Sequence, residues 1–593
     1  MAKRIDPLED LVGELFVNRD EELTMYWEWA TRVPTPVANS FALVGRRRTG
    51  KTAIMRKVFN RLFHEQERVL PVYISFSRYL ERVEPISSYE FAQVYFTGYI
   101  GCYLAFRHRE PMLLRDHYDF NQLREFANRV DDKLALELYH AYDLSLQGHI
   151  PHGLVQWVIN FPHGIAATRD MPTAIMIDEF QVLTKVYDPR QNIHHDITDS
   201  FQDAADTRWA PLLVSGSAIH LLFEQALGGL VAGRFVTHFL QPLTHRHAHE
   251  LVYRLGRWRN IPVTEELAEA IWQLTGGYPY SMERLMLTAS PVYQRLPDLD
   301  ALEEILTYEL GDAKGALWQH YYREFYKYVE LLNGTQLTKK VMFWAVKYPE
   351  KQIDAEQIAE TLGVNEEAVK EALFKLYQAD IVQLVGWSIF NGPGDPMLRR
   401  FIEYHYRREI EKLGPDEAAK DWRQEYRRLR GHLNNFMGEV AEMYVKTVMD
   451  AFDGRTVDGE LYFQHKGPLL LPGFVKVERR GGVIQAGVPL EIDLIGEWKL
   501  PAKAGRGAWL VQVKHTAQAT SGQDVRGFLA QTAGANADQK YIETVRWYVS
   551  KSGYTAEAIQ LLQEAQILYS DRTAFNRLAQ MFNFHGFPVT EDR

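Results

Sequence analysis

The sequence predicts a multidomain α/β protein. The length is 593 residues, which at about 100–200 residues per domain calls for several domains. Apolar, β-type runs alternate with helix-period segments in the N-terminal part, the pattern of a parallel sheet. A second set of strands, preceded by a helix, follows after residue 431. Hydrophobic residues make up 46% and charged residues 24%, values that exclude wholesale disorder and collagen-like repetition. The single cysteine, Cys102, excludes a disulfide framework and a cysteine-only metal site. The most apolar run, around Pro211 to Phe223, is short and carries Ser and His, so no membrane span is expected. The N-terminal MAKRIDPLEDLVGE lacks an apolar core, and a cytoplasmic location is expected.

Taken in order, residues 41–44 (FALV) read as a short buried strand, followed by a Gly-rich loop, a helix and a strand near Val69–Phe76. Residues 78–170 break that rhythm with Tyr, Phe, Leu and His at helical spacing, such as Leu134, Leu138 and Tyr142. They are expected to form a helical insertion within a sheet domain spanning 1–243. The sheet resumes at Thr173–Ile177 and Pro211–Val214. From about Thr244 to Leu310 the pattern is helical, interrupted at Gly276-Gly277-Tyr278-Pro279, and the unit is expected to span 244–334. Residues 335–395 give helices at Lys339–Lys347, at Ala355–Thr361 ending on Gly363, and from the N-cap Asn365 to about Gln378. Two short strands follow around Gly386, the layout of a winged helix. A charged helical connector spans 396–430, and the last domain 431–593.

The loop Gly45-Arg46-Arg47-Arg48-Thr49-Gly50-Lys51-Thr52 matches G-x-x-x-x-G-K-[ST] between a predicted strand and a predicted helix. Its glycines allow backbone amides to face phosphate oxygens, and the helix N-terminus favours an anion. Lys51 would reach the β- and γ-phosphates of ATP, and Thr52 would ligate Mg²⁺. Thr173–Glu179 is an apolar strand ending in two carboxylates. Asp178 would hold the Mg²⁺ through water and Glu179 would polarise the attacking water. Ser215 or Ser217, at the end of the Pro211–Val214 strand, is placed to sense the γ-phosphate; an ordinary strand-ending turn explains them as well. Arg234, after Gly233, is a candidate arginine finger or a solvated loop residue.

Phe16-Val17-Asn18-Arg19-Asp20-Glu21-Glu22-Leu23, the P-loop, the strand ending in Asp178-Glu179, Ser215-Gly216-Ser217, Gly233-Arg234 and Gly277-Tyr278-Pro279 stand in one order. That order resembles the archaeal-type P-loop ATPases of the signal-transducing (STAND) branch of the AAA+-like ATPases, over roughly residues 10–395. Their pattern usually has Gly where this chain has Asn18. The resemblance implies a helical lid beside the nucleotide, with the Gly-x-Pro segment in it, and a following winged helix. An Arg234 acting on a neighbouring subunit would make the protein a homo-oligomer. The third helix of the winged unit carries Glu366, Glu367 and Glu371 against Lys370 and Lys375. A major-groove helix offers Arg, Lys, Asn or Gln instead, which favours a packing module over a DNA reader.

The C-terminal domain carries a second constellation. Glu439 and Glu442 share a face of the helix Asn435–Val445. Glu491 and Asp493 share one side of the strand Pro489–Gly496, and Gln512 and Lys514 share one side of Ala508–His515. Carboxylates suit Mg²⁺, which can activate water, and a lysine beside them would stabilise developing negative charge. The arrangement resembles the PD-(D/E)XK, restriction-endonuclease-like nucleases over about residues 431–550. That resemblance implies Asp493 as central metal ligand, Gln512 in the second acidic position, Lys514 as the motif lysine, and Glu442, or alternatively Glu439, as the helix glutamate. Gln512 replaces the commoner Glu, and Ile492 stands at the Pro position. The competing reading is a solvated acidic face with Lys514 paired to it.

Net charge is −10. Residues 431–593 carry 17 Lys+Arg against 18 Asp+Glu, so little of the acidity lies there. Lys476, Arg479, Arg480, Lys499, Lys503 and Arg506 are placed either to track DNA phosphates or as solubilising loop charge. His194-His195 and the His245–His249 run read as surface histidines rather than a metal site. The combined expectation is an ATPase whose nucleotide gates metal-dependent cleavage of DNA, with Mg²⁺ or Mn²⁺ at the nuclease site. The alternatives are a nucleotide-switch scaffold that binds DNA without cutting it, and a signalling ATPase that does not touch nucleic acid.

Overall fold

The computed structural model describes the chain except residues 1–4, 9–14, 36–38, 81, 83, 149–152, 185, 191, 217–234, 290–296, 330–335, 348–352, 379–380, 387–388, 410, 486–487, 501–504, 517, 534–540, 585 and 588–593. Ser217, Gly233, Arg234 and Lys503 therefore lie outside the described residues. The architecture is multidomain α/β, in two compact units. One comprises Met1–Ile261 and Ile271–Lys420, the other Pro262–Ala270 and Asp421–Arg593. Among the described residues, no helix is long and apolar enough to cross a membrane.

In the first unit, strands β1 (Ser40–Val44), β2 (Leu70–Ser75), β3 (Thr173–Asp178), β4 (Leu212–Gly216) and β5 (Phe235–Phe239) form one parallel sheet in the order β2-β3-β4-β1-β5. Ala42–Val44, Ala174–Ile177 and Leu212–Val214 are fully buried, as expected of strands covered on both faces. Because the strands are parallel, their C-terminal ends meet at one edge, where crevices of such sheets hold ligands. Helix α1 (Asp20–Thr31) precedes the sheet, and α2 (Lys51–Glu65) follows β1 directly.

The region expected as an insertion is partly something else. Among the described residues, five α-helices lie between β2 and β3, and β2 and β3 are parallel neighbours. Such a pair requires a crossover, and α3 (Ser88–His108), which packs on β2, is part of it. Its start is a capping box: Ser87 Oγ accepts from the Glu90 amide at 3.2 Å, and the Ser87 amide donates to Glu90 Oε2 at 3.0 Å. Helix α4 (Gly153–Thr168) packs back on α3. The aromatic residues that broke the strand rhythm form this layer, with Phe96 against Tyr142 at 4.6 Å and Tyr99 against Phe161 at 4.8 Å between ring centroids.

The helices expected from Thr244 onward include α5 (His245–Arg259), α6 (Pro279–Leu287) and α7 (Ala316–Val329). Beyond them, helices Gln336–Lys347, Ala355–Leu362 and Glu366–Gln378 are followed by the antiparallel pair Gln383–Gly386 and Ile389–Asn391. This matches the expected three helices and two strands. Helix α8 (Pro396–Glu409) completes the unit.

The second unit opens on α9 (Lys420–Asp450), which runs without a break through the boundary expected at 430/431. Strands β6 (Lys476–Gln485), β7 (Val488–Lys499), β8 (Arg506–Lys514), β9 (Glu543–Ser550) and β10 (Leu568–Asp571) form one sheet in sequence order. The first three are antiparallel, and β8, β9 and β10 run parallel. Helices α10 (Gly522–Ala533) and Ala556–Glu564 make the two crossovers the parallel pairs need. Trp509 and Trp547 are buried edge-to-face, 5.9 Å apart, at the centre of the core.

Candidate functional sites

The first site sits at the C-terminal edge of the parallel sheet. Gly50, at φ +104, turns the chain into α2, a conformation that glycine adopts without penalty. Lys51 Nζ donates to the carbonyls of Gly45 at 2.8 Å and Arg46 at 2.7 Å. The ammonium thus lies folded over the loop whose phosphate it is expected to meet. Asp178 is buried and accepts from Thr52 Oγ1 at 2.9 Å and Tyr73 Oη at 3.0 Å on Oδ2, and from Ser215 Oγ on Oδ1. The loop, β2, β3 and β4 thus converge on one carboxylate. Thr52 and Asp178 are the oxygen pair that would hold a Mg²⁺ accompanying the nucleotide.

Glu179 follows in the left-handed region, at φ +60. Its carboxyl is raised above the ordinary range, first by burial and then by the neighbouring Asp178, with Gln181, Lys51 and Arg47 acting in the opposite sense. A carboxylate with raised basicity is better matched to accepting a proton from water near neutrality.

A cleft of about 680 Å³ opens from the loop. Leu15, Phe16, Val17, Leu243, Leu251 and Leu255 form an apolar wall; Arg19, Arg47, Arg48, Lys51, Arg56 and Arg323 supply positive charge, beside Glu179 and Glu283. The mixture suits a ligand with a flat apolar part and a polyanionic part. The Asn18 departure has a physical reason: Asn18 and Arg19 lie at φ +61 and +77, and Asn is among the few side chains that tolerate that conformation. Arg19 Nη2 then donates to the Gln241 carbonyl at 2.6 Å.

Gly277, in the Gly-Tyr-Pro segment, lies at φ +78, and a Cβ there would meet the Leu243 carbonyl oxygen at 2.2 Å. The Leu243 amide donates to the Gly277 carbonyl at 2.9 Å. Pro279 then starts α6, whose Tyr280 ring lies 3.6 Å from the Arg48 guanidinium.

Sequence reasoning missed Tyr73 and Arg323. Tyr73 reaches Asp178 only because β2 pairs with β3. Arg323 lies on α7 with no motif around it.

The second site lies on the other sheet. Asp493 Oδ2 accepts from Gln512 Nε2 at 2.6 Å and from the Val513 amide at 2.8 Å. The antiparallel register of β7 and β8, with Leu494 opposite Val511, brings these residues together. Gln512 Oε1 is buried without a hydrogen-bond partner, an acceptor that a cation could satisfy. Lys514, two residues on, forms an ion pair with Asp524 on α10.

Glu442 is buried and Glu439 half-buried. Arg479 donates to Glu442 Oε2 through Nη2 at 2.9 Å and Nε at 3.2 Å. Arg479 lies in β6 opposite Leu494, so this pair stands one residue from Asp493 along the sheet. The side chains of Arg480 and Glu491 lie outside the described residues.

The basic residues are less free than the DNA-tracking reading required. Lys476 pairs with Glu478, Arg479 with Glu442, and Arg506 with Glu497 at 2.6 Å. Their positive charge is matched locally: Glu478 lies two residues on in the same strand, Glu442 on helix α9 and Glu497 on the neighbouring strand β7. On α5, His245 and His249 lie one turn apart with ring centroids 4.2 Å apart, and His247 Nδ1 is 2.8 Å from Thr244 Oγ1.

The first unit thus carries a G-x-x-x-x-G-K-T loop on a five-stranded parallel sheet, with the loop, the acidic strand end and helices α5, α6 and α7 around one cleft. No family model and no curated protein matches the sequence. Among solved structures, the chain is similar to a Walker-type ATPase of Pyrococcus abyssi, at 15% identity and a TM-score of 0.40, over 65% of this chain and 96% of that one. It is also similar to the ORC2 protein of Aeropyrum pernix, at 10% identity and 0.37, over 69% and 98%. A third is the RuvB Holliday junction branch migration motor of Thermotoga maritima, at 14% and 0.28, over 64% and 93%.

Proposed function

We propose that this chain binds and hydrolyses ATP with Mg²⁺ in the first unit, as a member of the STAND branch, and uses that cycle to gate metal-dependent cleavage of DNA in the second. For the ATPase, the supporting observation is the convergence of Thr52, Tyr73 and Ser215 on Asp178 beside Lys51 and Glu179. Lys51 exchanges its two carbonyl partners for phosphate oxygens. Glu179 accepts a proton from the attacking water, whose oxygen bonds to the γ-phosphorus as the bond to the β–γ bridging oxygen breaks.

Glu179→Gln is expected to bind ATP normally and to turn it over about 10²–10⁴-fold more slowly. Because the Glu179 carboxyl is raised and works as the base when ionised, parental turnover should climb with pH through a limb above the usual carboxylate range. Steady-state rates across pH, with nucleotide affinity measured in parallel, check both. Equal turnover in variant and parent would place the base elsewhere.

For the nuclease, the carrying observation is the Asp493–Gln512 pair with the unpartnered Gln512 Oε1 and Lys514 on the same strand. Donors of this kind fit a hard divalent cation, Mg²⁺ or Mn²⁺, held by Asp493 and Gln512 with Glu442 as the third group. Such an ion activates water and screens phosphate charge. The PD-(D/E)XK reading is supported by a helix leading into three antiparallel strands and a parallel crossover. The winged-helix reading is supported by the three helices and hairpin of residues 336–391. DNA is the proposed partner, and a homo-oligomer the proposed state. The full chain incubated with supercoiled, linear, nicked and branched DNA, with Mg²⁺ or Mn²⁺ and with or without ATP, tests the whole reading. Cleavage of none of them would favour the scaffold alternative; absence of any DNA binding as well would favour the signalling one.

Glu442→Ala is expected to slow cleavage about ten-fold or more beyond Glu439→Ala, since Glu442 is the buried carboxylate facing β6. Initial rates of the two variants on one plasmid substrate decide it, and the reverse order would assign the role to Glu439.

A further inference from the structure

We infer that Asp524 is the positioning residue that holds Lys514 in place for phosphodiester cleavage, an assignment that rests on the nuclease reading above. Lys514 ends β8 and Asp524 lies in the first turn of α10. The two elements are joined by a short loop in which Ser521 caps the helix. The Ser521 amide and Oγ donate to Asp524 Oδ2 at 2.8 and 2.7 Å, and the Asp524 amide donates back to Ser521 Oγ at 3.4 Å. That reciprocal box leaves Asp524 Oδ1 turned to the Lys514 ammonium. Each carboxylate oxygen therefore has its own partner, and the group cannot rotate without breaking the box.

The helix that carries Asp524 is itself fixed. Val525 and Phe528 are buried against Tyr548 of β9, and the Phe528 and Tyr548 rings meet edge-to-face at 5.4 Å. The Tyr548 hydroxyl is pushed up by burial, then by the negative charge of Asp524 and of Asp493, so both carboxylates bear on one place. Burial opposes ionisation of Asp524, yet the hydrogen bonds from Lys514 and Ser521 bring it down to about 2. It is therefore an anion near neutral pH.

A lysine held by a fixed anion keeps one orientation. That suits a group that stabilises negative charge growing on the phosphate as water adds to phosphorus and the P–O bond to the leaving oxygen breaks. The residue types alone did not mark Asp524, because its role depends on the loop that sets the first turn of α10 beside the end of β8.

The test uses the full chain on plasmid DNA with Mg²⁺ or Mn²⁺, comparing parent, Asp524→Asn and Asp524→Glu. We expect Asp524→Asn to lose about ten- to hundred-fold in kcat, with KM for DNA little changed, and Asp524→Glu to recover part of the loss. Acylation of the Lys514 amine by a water-soluble ester, read by peptide mass spectrometry without metal or DNA, should rise in Asp524→Asn. Thermal melting establishes that each variant is folded. Should Asp524→Asn not fold, Ser521→Ala, which removes the Oγ partner and leaves the carboxylate, should show a smaller kcat loss and the same direction of labelling. A parent that cuts while Asp524→Asn cuts equally fast, or is labelled equally at Lys514, overturns the inference and leaves the nuclease reading standing. A parent that cuts nothing overturns both.

Discussion

Lys51→Ala is expected to weaken ATP binding by about 10²–10⁴-fold and to abolish turnover. In the proposed complex the ammonium would donate to two phosphates, and bonds to charged groups contribute about 1.5–3 kcal/mol each. The loop around Lys51 reinforces the point. Its ammonium lies on the Gly45 and Arg46 carbonyls, so loss of the side chain also removes a brace from the loop. A fall in melting temperature of the ligand-free protein should accompany the loss of affinity. Isothermal titration with a non-hydrolysable ATP analogue measures the first effect and thermal melting the second. Normal affinity in a folded Lys51→Ala protein would overturn the nucleotide-site assignment.

Asp493→Ala is expected to reduce metal-dependent cleavage by about three powers of ten or more, because it removes the charged member of the proposed ion-binding pair. ATPase activity should persist, since Lys51, Thr52, Asp178 and Glu179 belong to the first unit and Asp493 to the second. Asp493 also accepts from Gln512 and the Val513 amide, and the Ala variant leaves those donors without their acceptor. Asp493→Asn, which keeps an oxygen there but no charge, separates the two effects. Loss of cutting in both variants, with folding retained, assigns the loss to the ion site. Unchanged cutting by Asp493→Asn would remove Asp493 from the reaction.

Much of the fold is legible along the chain because its elements announce themselves locally. The FALV, Thr173–Ile177 and Pro211–Val214 runs are strands of one parallel sheet. Gly363 ends a helix at φ +64 in the conformation its residue type suggests. The stretch after Arg78 misled in part. Its aromatic spacing announced helices, but not that α3 is the crossover which lets β2 and β3 pair. That depends on which strands become neighbours. The expected break at 430/431 falls within α9 for a related reason: the charged face of a long helix reads as a connector even when the helix continues into the next domain.

The two sites divide along the same line. The sequence by itself determined the phosphate loop, because its backbone conformation and its helix N-terminus are properties of eight consecutive residues. It also placed the acids at the end of β3 and in the middle of β7, since the apolar runs that carry them are local. Only the tertiary structure decided what those acids touch. Tyr73 reaches Asp178 through the pairing of β2 with β3, and Ser215 reaches it from β4. Arg479 closes on Glu442 from a neighbouring strand, and Asp524 closes on Lys514 from the following helix. Contacts of this kind join residues whose spacing in sequence carries no period. They are set by strand order, register and helix packing, which come from burying apolar faces together and not from the polar residues that those faces bring into reach.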